Sequence, residues 1–428
     1  MVLLDPETLH ASLGEPVLGS IGFLNEVMAQ YPDAISFAPG APHPVFYEEL
    51  DTGRYIARFL DHLERERGLG PVQARKLLYE YGPSQGLING IVRDALSRDH
   101  GIDATEDAIV VTVGAQEAML LALRALFRTP EDVLAVANPC FVGMLGAARL
   151  LDVPVVAVSE TPAGLDLDLL EAACRTARQE GRRVRACYVA PDFANPGGGR
   201  MSLACRHRLL AIAAREDLLI LEDNVYAFTA SAGAALPYLK ALDTAGRVVH
   251  IGTFAKVCFP GARVGYAVAD QRVRGGGLLA HELTAIKSMV TVNTSPLSQA
   301  AIGGMLLDHG GSLAVLGRRK AELYQRNLGC LLDALERHLP PGALAPGVRW
   351  TRPEGGFFVR IRLPVPADVE LLKVSAAKYG VLWTPMAQFY LDGTGDSQLR
   401  LSCSYLDPPE IETGVRRLAG FLREEISV

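Results

Sequence analysis

The sequence predicts an α/β fold: a large domain with a mostly parallel central sheet flanked by helices, plus a smaller α+β domain at the C-terminal end. Between about 108 and 266, short apolar runs rich in β-branched residues alternate with helical patterns, which is typical of a parallel sheet covered on both faces. A long helix is expected over 316–338, and alternating apolar and polar residues after it predict further strands. The expected divisions are 1–50 (an N-terminal arm and part of the small domain), 51–315 (the large domain) and 316–428 (the small domain).

Composition and charge exclude several classes of protein. Hydrophobic residues make up 49% of the 428 residues and charged residues 21%, which is enough apolar material for a packed core. The formal net charge is −6 without a long basic run, so neither nucleic acid nor an anionic membrane is expected as a partner. The seven cysteines are scattered without a C-x-x-C pair, which favours a cytoplasmic location over a disulfide scaffold or a metal site. No apolar run is long enough to span a membrane, and we expect no signal peptide.

The N-terminal region contains two loops with candidate site residues. A helix is expected near 21–28, and a short strand over 34–38 runs into a Pro/Gly loop that contains Gly40. This glycine belongs either to an ordinary turn or to a loop where a ligand approaches the backbone. Tyr81 lies in the next loop, before a helix over 87–97. Its phenol is either an ordinary loop aromatic or a group that reaches a phosphate.

The first strand of the alternating region leads directly into a candidate anion site. A strand over 108–113 is followed by Gly114, Ala115 and Gln116, and then by a helix over 117–127. The first N–H groups of a helix have no partner within it and lie at the positive end of its dipole, so they bind anions. One glycine between a strand and a helix is a weak signal by itself.

Two further strands end close to residues that suit a flat, polar ligand. Phe141 follows a strand over 133–137, where an aromatic ring is either part of the core or stacked on a cofactor ring. Asn195 follows a strand over 184–189 and precedes Pro-Gly. The asparagine is typical of a turn, and its amide could also donate a hydrogen bond to a phenolate oxygen.

A carboxylate and a phenol follow the next strand. Asp223 comes directly after a buried strand over 218–221, where an unpaired carboxylate is costly. A protonated pyridine nitrogen is a natural partner for it. Tyr226, three residues further on, is placed to reach the phenolic oxygen of the same ring.

Lys256 follows the apolar strand over 248–251 and is the most informative position in the chain. A partly desolvated ammonium loses its proton more easily and becomes a nucleophile for carbonyl groups. Pyridoxal phosphate is the aldehyde that suits this role, since lysine holds it as a Schiff base. Thr253 and Arg263 would then hold the phosphate. The alternative is an ordinary surface lysine.

These candidates share one structural position. Ligands bind at the carboxyl ends of the strands in parallel sheets. Five candidates fall at such ends, which is difficult to explain by ordinary loops: Gly114, Phe141, Asn195, Asp223 and Lys256.

The C-terminal region carries three arginines in alternating strands. Arg360 and Arg362 are expected to face solvent. Arg400 lies between leucines in a short strand over 399–403, and it is either an edge residue or a clamp for a substrate carboxylate. A final helix is expected over 409–424.

Together these motifs resemble the fold-type I pyridoxal phosphate enzymes of the class I/II aminotransferase family. The similarity is greatest to the branch that contains the 2-aminoadipate and aromatic aminotransferases and the effector domains of MocR-type regulators, and it spans about residues 20–425. The motifs that carry it are Tyr81-Gly-Pro, Gly114-x-Gln116, Asn195-Pro-Gly, Asp223-x-x-Tyr226, Lys256 with Arg263, and Arg400.

The resemblance implies a role for each candidate. Lys256 would be the Schiff-base lysine and proton shuttle, Asp223 would pair with the pyridine nitrogen, and Tyr226 would hold the ring oxygen. Arg400, with Asn195 and Gly40, would bind the substrate. The remaining cofactor contacts would be Tyr81 from a partner subunit, Gly114, Ala115, Gln116, Phe141, Asn195, Thr253 and Arg263. The resemblance further implies a homodimer with shared active sites that moves the amino group of an L-α-amino acid to a 2-oxo acid.

The sequence departs from the family pattern at several positions. Ala115 and Ala255 stand where the family usually has serine, Met386 stands where it usually has glycine, and the Asn-Pro-Thr-Gly loop reads 195–199 Asn-Pro-Gly-Gly-Gly. Such departures also occur in relatives that use the same cofactor for elimination, replacement, carbon–carbon bond formation or oxidation, so that reaction class is the first alternative. A cofactor-sensing regulatory domain without catalysis is the second.

Overall fold

The structure is a computed structural model that describes residues 2–161, 163–340 and 347–426. Its strands are β1 (Ile35–Ser36), β2 (Ile109–Thr112), β3 (Asp132–Asn138), β4 (Val155–Thr161), β5 (Gly164–Leu165), β6 (Arg183–Val189), β7 (Leu219–Asp223), β8 (Val248–Thr253), β9 (Gly265–Val268), β10 (Arg349–Trp350), β11 (Phe358–Arg362), β12 (Val381–Leu382), β13 (Thr384–Pro385) and β14 (Gln398–Ser402). Its helices are α1 (Pro16–Gln30), α2 (Thr52–Arg65), α3 (Pro71–Tyr79), α4 (Asn89–His100), α5 (Gly114–Leu126), α6 (Val142–Leu150), α7 (Leu167–Gln179), α8 (Leu203–Arg215), α9 (Leu239–Leu242), α10 (Leu279–Val290), α11 (Pro296–Asp308), α12 (Leu313–His338), α13 (Val369–Val374) and α14 (Pro408–Glu425).

The central sheet has the strand order β2-β9-β8-β7-β6-β3-β4-β5. The neighbouring pairs from β8 to β4 are parallel, whereas β9 and β5 run antiparallel to their neighbours. Every residue of β2 and of β7 is buried. Helices pack on the sheet, which is why these strands read as near-continuous apolar runs. The expected mostly parallel sheet flanked by helices is confirmed.

One edge of this sheet collects the candidate residues. Strands β2, β3, β6, β7 and β8 all point in the same direction, so their carboxyl ends meet at one edge. At or just after these ends lie Gly114, Phe141, Asn195, Asp223 and Lys256. Their common position was expected from the sequence, and it places a cavity at this edge.

A second, antiparallel sheet has the order β10-β11-β14-β13; it decides between the two alternatives for Arg400 and corrects the expectation for Arg360. Because β14 lies between β11 and β13, Arg400 is not an edge residue, and it is buried. Arg360 does not face solvent: only 19% of its side chain is exposed, and it lies against Glu160 of the central sheet. The strand face that carries Arg360 is covered there, and only Arg362, at the end of β11, is exposed as expected.

The N-terminal segment packs with the C-terminal sheet region. Strand β1 pairs in parallel with β12, and Phe37 belongs to the same buried cluster as Trp383. This contact agrees with assigning part of 1–50 to the small domain. The boundaries at 50/51 and 315/316 remain predictions.

Helix α6 is absent from the sequence analysis for a physical reason. Its residues from Val142 to Ala148 are all buried. A helix that is buried on all sides has no polar face, so its sequence lacks the 3.6-residue alternation by which a surface helix is recognised.

The helices were also compared with the dimensions of a bilayer. In the described part of the chain, no single helix combines the length and low polarity needed to cross a membrane. Helices α11 and α12 satisfy this test only as a joined pair, and they are bent by 87° relative to each other.

Candidate active site

Lys256 lies in the loop after β8, and its side chain enters the cavity. Its Nζ donates a hydrogen bond to the backbone carbonyl of Gly40 at 2.6 Å. Burial, together with the positive charges of Arg400 and Arg263, lowers the pKa of Lys256 from 10.5 to about 8. More of this amine is uncharged near neutral pH than in an exposed lysine, which makes it a better nucleophile for an aldehyde.

Asp223, the last residue of β7, is a buried carboxylate with one free oxygen. The hydroxyl of Tyr188 donates a hydrogen bond to its Oδ2 at 2.6 Å, whereas its Oδ1 is buried and has no hydrogen-bond partner among the described residues. Burial raises the pKa of Asp223 to about 6. Since buried polar atoms are normally paired, Oδ1 lacks a donor, and a protonated ring nitrogen would supply both a donor and a positive charge.

The first turn of α5 and Arg263 together form an anion site. Gly114 begins α5 with φ +70°, and a Cβ at this position would lie 2.6 Å from Nη2 of Arg263. Only glycine therefore lets this guanidinium approach the start of the helix. Free N–H groups, the helix dipole and a cation converge there, which is the combination that binds a phosphate.

Two neighbouring polar side chains of the cavity are engaged in local hydrogen bonds. The Gln116 amide donates to the carbonyl of Gly143 at 2.7 Å. The Thr253 hydroxyl accepts from the N–H of Ala255 at 3.2 Å. Both side chains line the cavity beside Ala115, so the predicted phosphate contacts are in one place.

Arg400 extends from β14 into the other side of the cavity. Its Nη1 donates to Oδ1 of Asn195 at 2.5 Å, and its Nη2 donates to the carbonyl of Ala38 at 3.0 Å and to the Thr384 hydroxyl at 3.3 Å. Its Nε is buried without a partner, and no carboxylate pairs with Arg400 among the described residues. Burial lowers the pKa of Arg400 to about 10. A buried, unpaired guanidinium is expected to bind an anionic ligand.

Aromatic rings form much of the remaining wall. The guanidinium of Arg400 lies over the rings of Phe358 and Phe389, at 4.3 and 5.1 Å from their centroids. Tyr226 packs edge-on against Phe358, and burial raises the pKa of its hydroxyl, which therefore remains a neutral hydrogen-bond donor. Phe141 lines the same cavity, where its ring is available for stacking.

The cavity has a volume of about 440 Å³ and brings most of the predicted residues together. Those that line it are Gly40, Ala115, Gln116, Phe141, Asn195, Asp223, Tyr226, Thr253, Lys256, Arg263 and Arg400. Gly114 borders it through the contact with Arg263. Tyr81 lies outside it, with 89% of its surface exposed.

Several residues that contact the candidate site were not predicted from the sequence. Tyr188 was counted only as part of a strand, although its hydroxyl contacts Asp223. A tyrosine in an otherwise aliphatic buried strand is a signal that could have identified it. Thr384, Phe389 and the Ala38 carbonyl carry no such signal, because they meet Arg400 only through pairing of distant segments.

These residues fit pyridoxal phosphate. The cavity offers an amine with a lowered pKa, a buried carboxylate oxygen without a donor, a helix start with a cation for a phosphate, and aromatic walls for a flat ring. The fold and this set of groups define a fold-type I, pyridoxal phosphate-dependent transferase.

Comparison with known proteins identifies the family. The family model for aminotransferase class I and II matches residues 64–418. The chain is 48% identical to the (S)-3,5-dihydroxyphenylglycine transaminase of Amycolatopsis orientalis, over 98% of this chain and 94% of that relative. It is 31% identical to the 2-aminoadipate transaminase of Thermus thermophilus, with 92% of each chain covered. The solved kynurenine aminotransferase of Pyrococcus horikoshii superposes with a TM-score of 0.82 at 27% identity, covering 99% of this chain and 98% of that one.

The chain therefore belongs to the class I and II aminotransferases. It is a pyridoxal phosphate-dependent transferase that acts on amino acids and 2-oxo acids. Because these relatives are transaminases, amino-group transfer is favoured over the alternative reactions and over a regulatory role without catalysis.

Proposed function

We propose that this enzyme transfers the amino group of an L-α-amino acid with an aromatic side chain to a 2-oxo acid, and that Lys256, Asp223 and Arg400 are its principal functional residues. The observation that carries the site assignment is that Lys256 and the free oxygen of Asp223 share one cavity with an unpaired, buried arginine. The amine of Lys256 would react with the aldehyde of the cofactor, and the carboxylate of Asp223 would pair with its ring nitrogen. The guanidinium of Arg400 would bind the carboxylate of the substrate.

The central sheet supplies the residues for the cofactor. Lys256 would hold it covalently, Asp223 would receive the hydrogen bond of its ring nitrogen, and the start of α5 with Arg263 would bind its phosphate. When bound, pyridoxal phosphate withdraws electrons from the α-carbon of the amino acid and so acidifies its α-proton. The Asp223 carboxylate would keep the ring nitrogen charged, and the Tyr226 hydroxyl would donate a hydrogen bond to the ring oxygen.

Lys256 would have a second role once the amino acid is bound. Its Nζ would take up the α-proton, because burial and two nearby guanidinium groups favour the uncharged amine. The same Nζ would later give this proton back and so complete the transfer of the amino group. The hydrogen bond to the Gly40 carbonyl is available to hold the amine near this position.

Arg400 would bind the substrate carboxylate and thereby orient the amino acid. The guanidinium already contacts Asn195 and leaves its Nε without a partner, so an anion would satisfy a buried donor. This orientation fixes which bond of the α-carbon is broken.

The preference for an aromatic side chain rests on the apolar lining and on the relative with 48% identity. Met28, Met119, Val142 and Phe389 line the cavity and suit an aryl group. The relative is named for the transamination of a dihydroxyphenylglycine, so an arylglycine is the substrate class that we propose.

We also propose a homodimer in which Tyr81 completes the partner's site. Gly82, next to Tyr81, lies beside Asn293, which brings the segments 72–82 and 289–293 together. Their exposed large side chains are Val72, Tyr79, Tyr81, Met289, Val290 and Val292. Such a patch is typical of a subunit interface. The free thiols of the described cysteines suit the cytoplasmic location expected from the sequence, and the domain divisions at 50/51 and 315/316 are retained as part of this proposal.

Mixed dimers test the sharing of sites. A dimer with Lys256→Ala in one subunit and Tyr81→Ala in the other contains one site in which both residues are native. We expect activity to reappear when the two inactive variants are co-expressed or refolded together. Without recovery in a mixed dimer shown to form, Tyr81 does not act in the partner's site.

Absorbance titration of the purified holoenzyme tests the reaction and its substrate. Addition of (S)-phenylglycine should shift the absorbance band of the bound cofactor, and a 2-oxo acid should restore it. A shift with 2-aminoadipate but not with phenylglycine would contradict the aromatic preference. Release of ammonia or uptake of oxygen during turnover would contradict transamination itself.

A further inference from the structure

Gly197 explains one departure from the family pattern. It stands where the Asn-Pro-Thr-Gly loop usually has threonine. A Cβ at position 197 would lie 2.7 Å from the carboxyl carbon of Glu160 and still closer to both of its oxygens. The carboxylate of Glu160 therefore occupies the space that a side chain at 197 would need.

Glu160 is a buried carboxylate with an incomplete set of partners. It lies on β4, and its side chain is 4% exposed. Its nearest cation is Arg360 of β11, with 3.6 Å between Nη2 and Oε2. Oε2 of Glu160 and Nε of Arg360 both lack a hydrogen-bond partner among the described residues. Burial raises the pKa of Glu160 to about 7, and the guanidinium opposes this rise.

The loop that packs against the Glu160 carboxylate also carries a predicted site residue. Asn195, two positions before Gly197, accepts the hydrogen bond from Arg400. The loop is closed by a hydrogen bond from the N–H of Gly198 to the carbonyl of Ala194 at 2.6 Å. Movement of Gly197 would therefore be passed directly to Asn195.

Arg360 is connected to the same site through the small sheet. It is the register partner of Arg400 in the antiparallel pair of β11 and β14, so the two side chains emerge on the same face. The Arg360 Nη1 also donates to the hydroxyl of Tyr390 at 3.2 Å. The Glu160–Arg360 pair thus joins the Asn195 loop of the central sheet to the strand that presents Arg400.

We propose that Glu160 and Arg360 are positioning residues: their contact sets the geometry of Asn195 and Arg400, and thereby the affinity of the site for the substrate carboxylate. The proposal rests on the proposed role of Arg400. It also explains why glycine stands at position 197 in place of the usual threonine: the glycine leaves room for the Glu160 carboxylate where the two sheets meet.

The first test is Glu160→Gln, which keeps the shape of the side chain but removes its charge. Binding of 3-phenylpropionate, an unreactive carboxylate, is measured by calorimetry on the holoenzyme, together with KM and kcat for an aromatic amino acid. We expect Kd and KM to rise by about 3- to 10-fold, with kcat within about twofold. Removing a negative charge near an anion site would by itself tighten binding, so weaker binding specifically indicates positioning. Unchanged or tighter binding overturns the proposal.

A second test uses the space between the two residues. Gly197→Ala introduces the Cβ against the carboxylate and should weaken carboxylate binding more than Glu160→Gln does. In a Glu160→Ala background the space is open, so the same Gly197→Ala change should cost less than about twofold. Additive effects of the two substitutions would overturn the proposed contact.

Control variants separate this inference from a structural effect and from the proposed function. Glu354→Gln neutralises a carboxylate that is 81% exposed near the same loop and should leave Kd unchanged. A lower melting temperature with unchanged Kd would make Glu160 merely structural. If Arg400→Lys also leaves Kd unchanged, the proposed carboxylate site itself is wrong, whereas an effect of Arg400→Lys alone contradicts only the role of Glu160.

Discussion

The two sides of the cavity are built in different ways. The proposed cofactor side, which we define as Gly114, Asp223, Lys256 and Arg263, belongs to the central sheet and its connecting loops. The substrate side, defined as Gly40, Asn195 and Arg400, combines a loop of that sheet with the N-terminal segment and the small sheet. The hydrogen bond from Arg400 to Ala38 joins residues 362 positions apart.

This difference has consequences for how each side responds to substitution. The cofactor side rests on β7 and β8, which are buried except for Thr253 at the end of β8, and the hydrogen bonds between these strands fix their geometry. The substrate side depends on how the small sheet packs against the large one. Changes on the cofactor side should therefore abolish chemistry, and changes on the substrate side should mainly alter affinity.

The largest effect is expected for Lys256→Ala. Borohydride reduction of the native holoenzyme should attach the cofactor to the peptide that contains Lys256, as shown by mass spectrometry. The variant should show no such label and no measurable turnover, because no other lysine lines this cavity among the described residues. The control is Lys76→Ala, which removes an exposed lysine. A label that persists on another lysine would contradict the assignment of the cofactor side.

The second-largest loss of activity is expected for Asp223→Asn. The amide keeps the shape but cannot hold the ring nitrogen in its protonated form, so kcat should fall by about 100-fold or more while covalent capture of the cofactor continues. Tyr188→Phe removes only the hydrogen bond to Oδ2 and should lower kcat much less. Near-normal turnover of Asp223→Asn would show that the pairing with the ring nitrogen is wrong.

Arg400→Lys tests the other side of the comparison. Lysine retains a positive charge but loses the forked geometry, so KM for the amino acid should rise by about 10- to 100-fold. Cofactor capture, followed by absorbance, should stay as in the native enzyme. A loss of cofactor capture in this variant would contradict the assignment of Arg400 to the substrate side.

The smallest effect concerns pH. Lys256 has a pKa of about 8 in the folded protein against an ordinary value of 10.5, so its amine becomes reactive at a lower pH than that of an exposed lysine. The rate of cofactor uptake by the cofactor-free protein should rise from about pH 6 and level off above about pH 8. Between the two pKa values the unfolded chain binds more protons, so Lys256 makes the cofactor-free protein more stable as pH rises through this window. A rate that continues to rise to about pH 10 would show that Lys256 is not desolvated.

The Glu160–Arg360 pair lies where the two sides of the cavity meet. Arg360 was expected to face solvent, because in an alternating strand with one free face the polar residues are exposed. The face is covered by a carboxylate from a strand about 200 residues earlier in the chain. An alternating sequence pattern shows on which face of a strand a side chain lies. It does not show which other segment of the chain packs against that face.

The fold class and the candidate residues of the proposed cofactor side could be predicted from the sequence alone. Gly114, Asp223 and Lys256 each lie at or just after the end of a buried apolar run, and the carboxyl ends of parallel strands meet at one edge, so local pattern and topology suffice for them. Arg263 was identified by its position in the same segment as Lys256. The substrate side, the contact of Tyr188 with Asp223, the free oxygen of Asp223 and the burial of Arg400 arise from tertiary packing. These features depend on which distant segments pack against each other, and contacts of that kind leave no periodic signal in the chain.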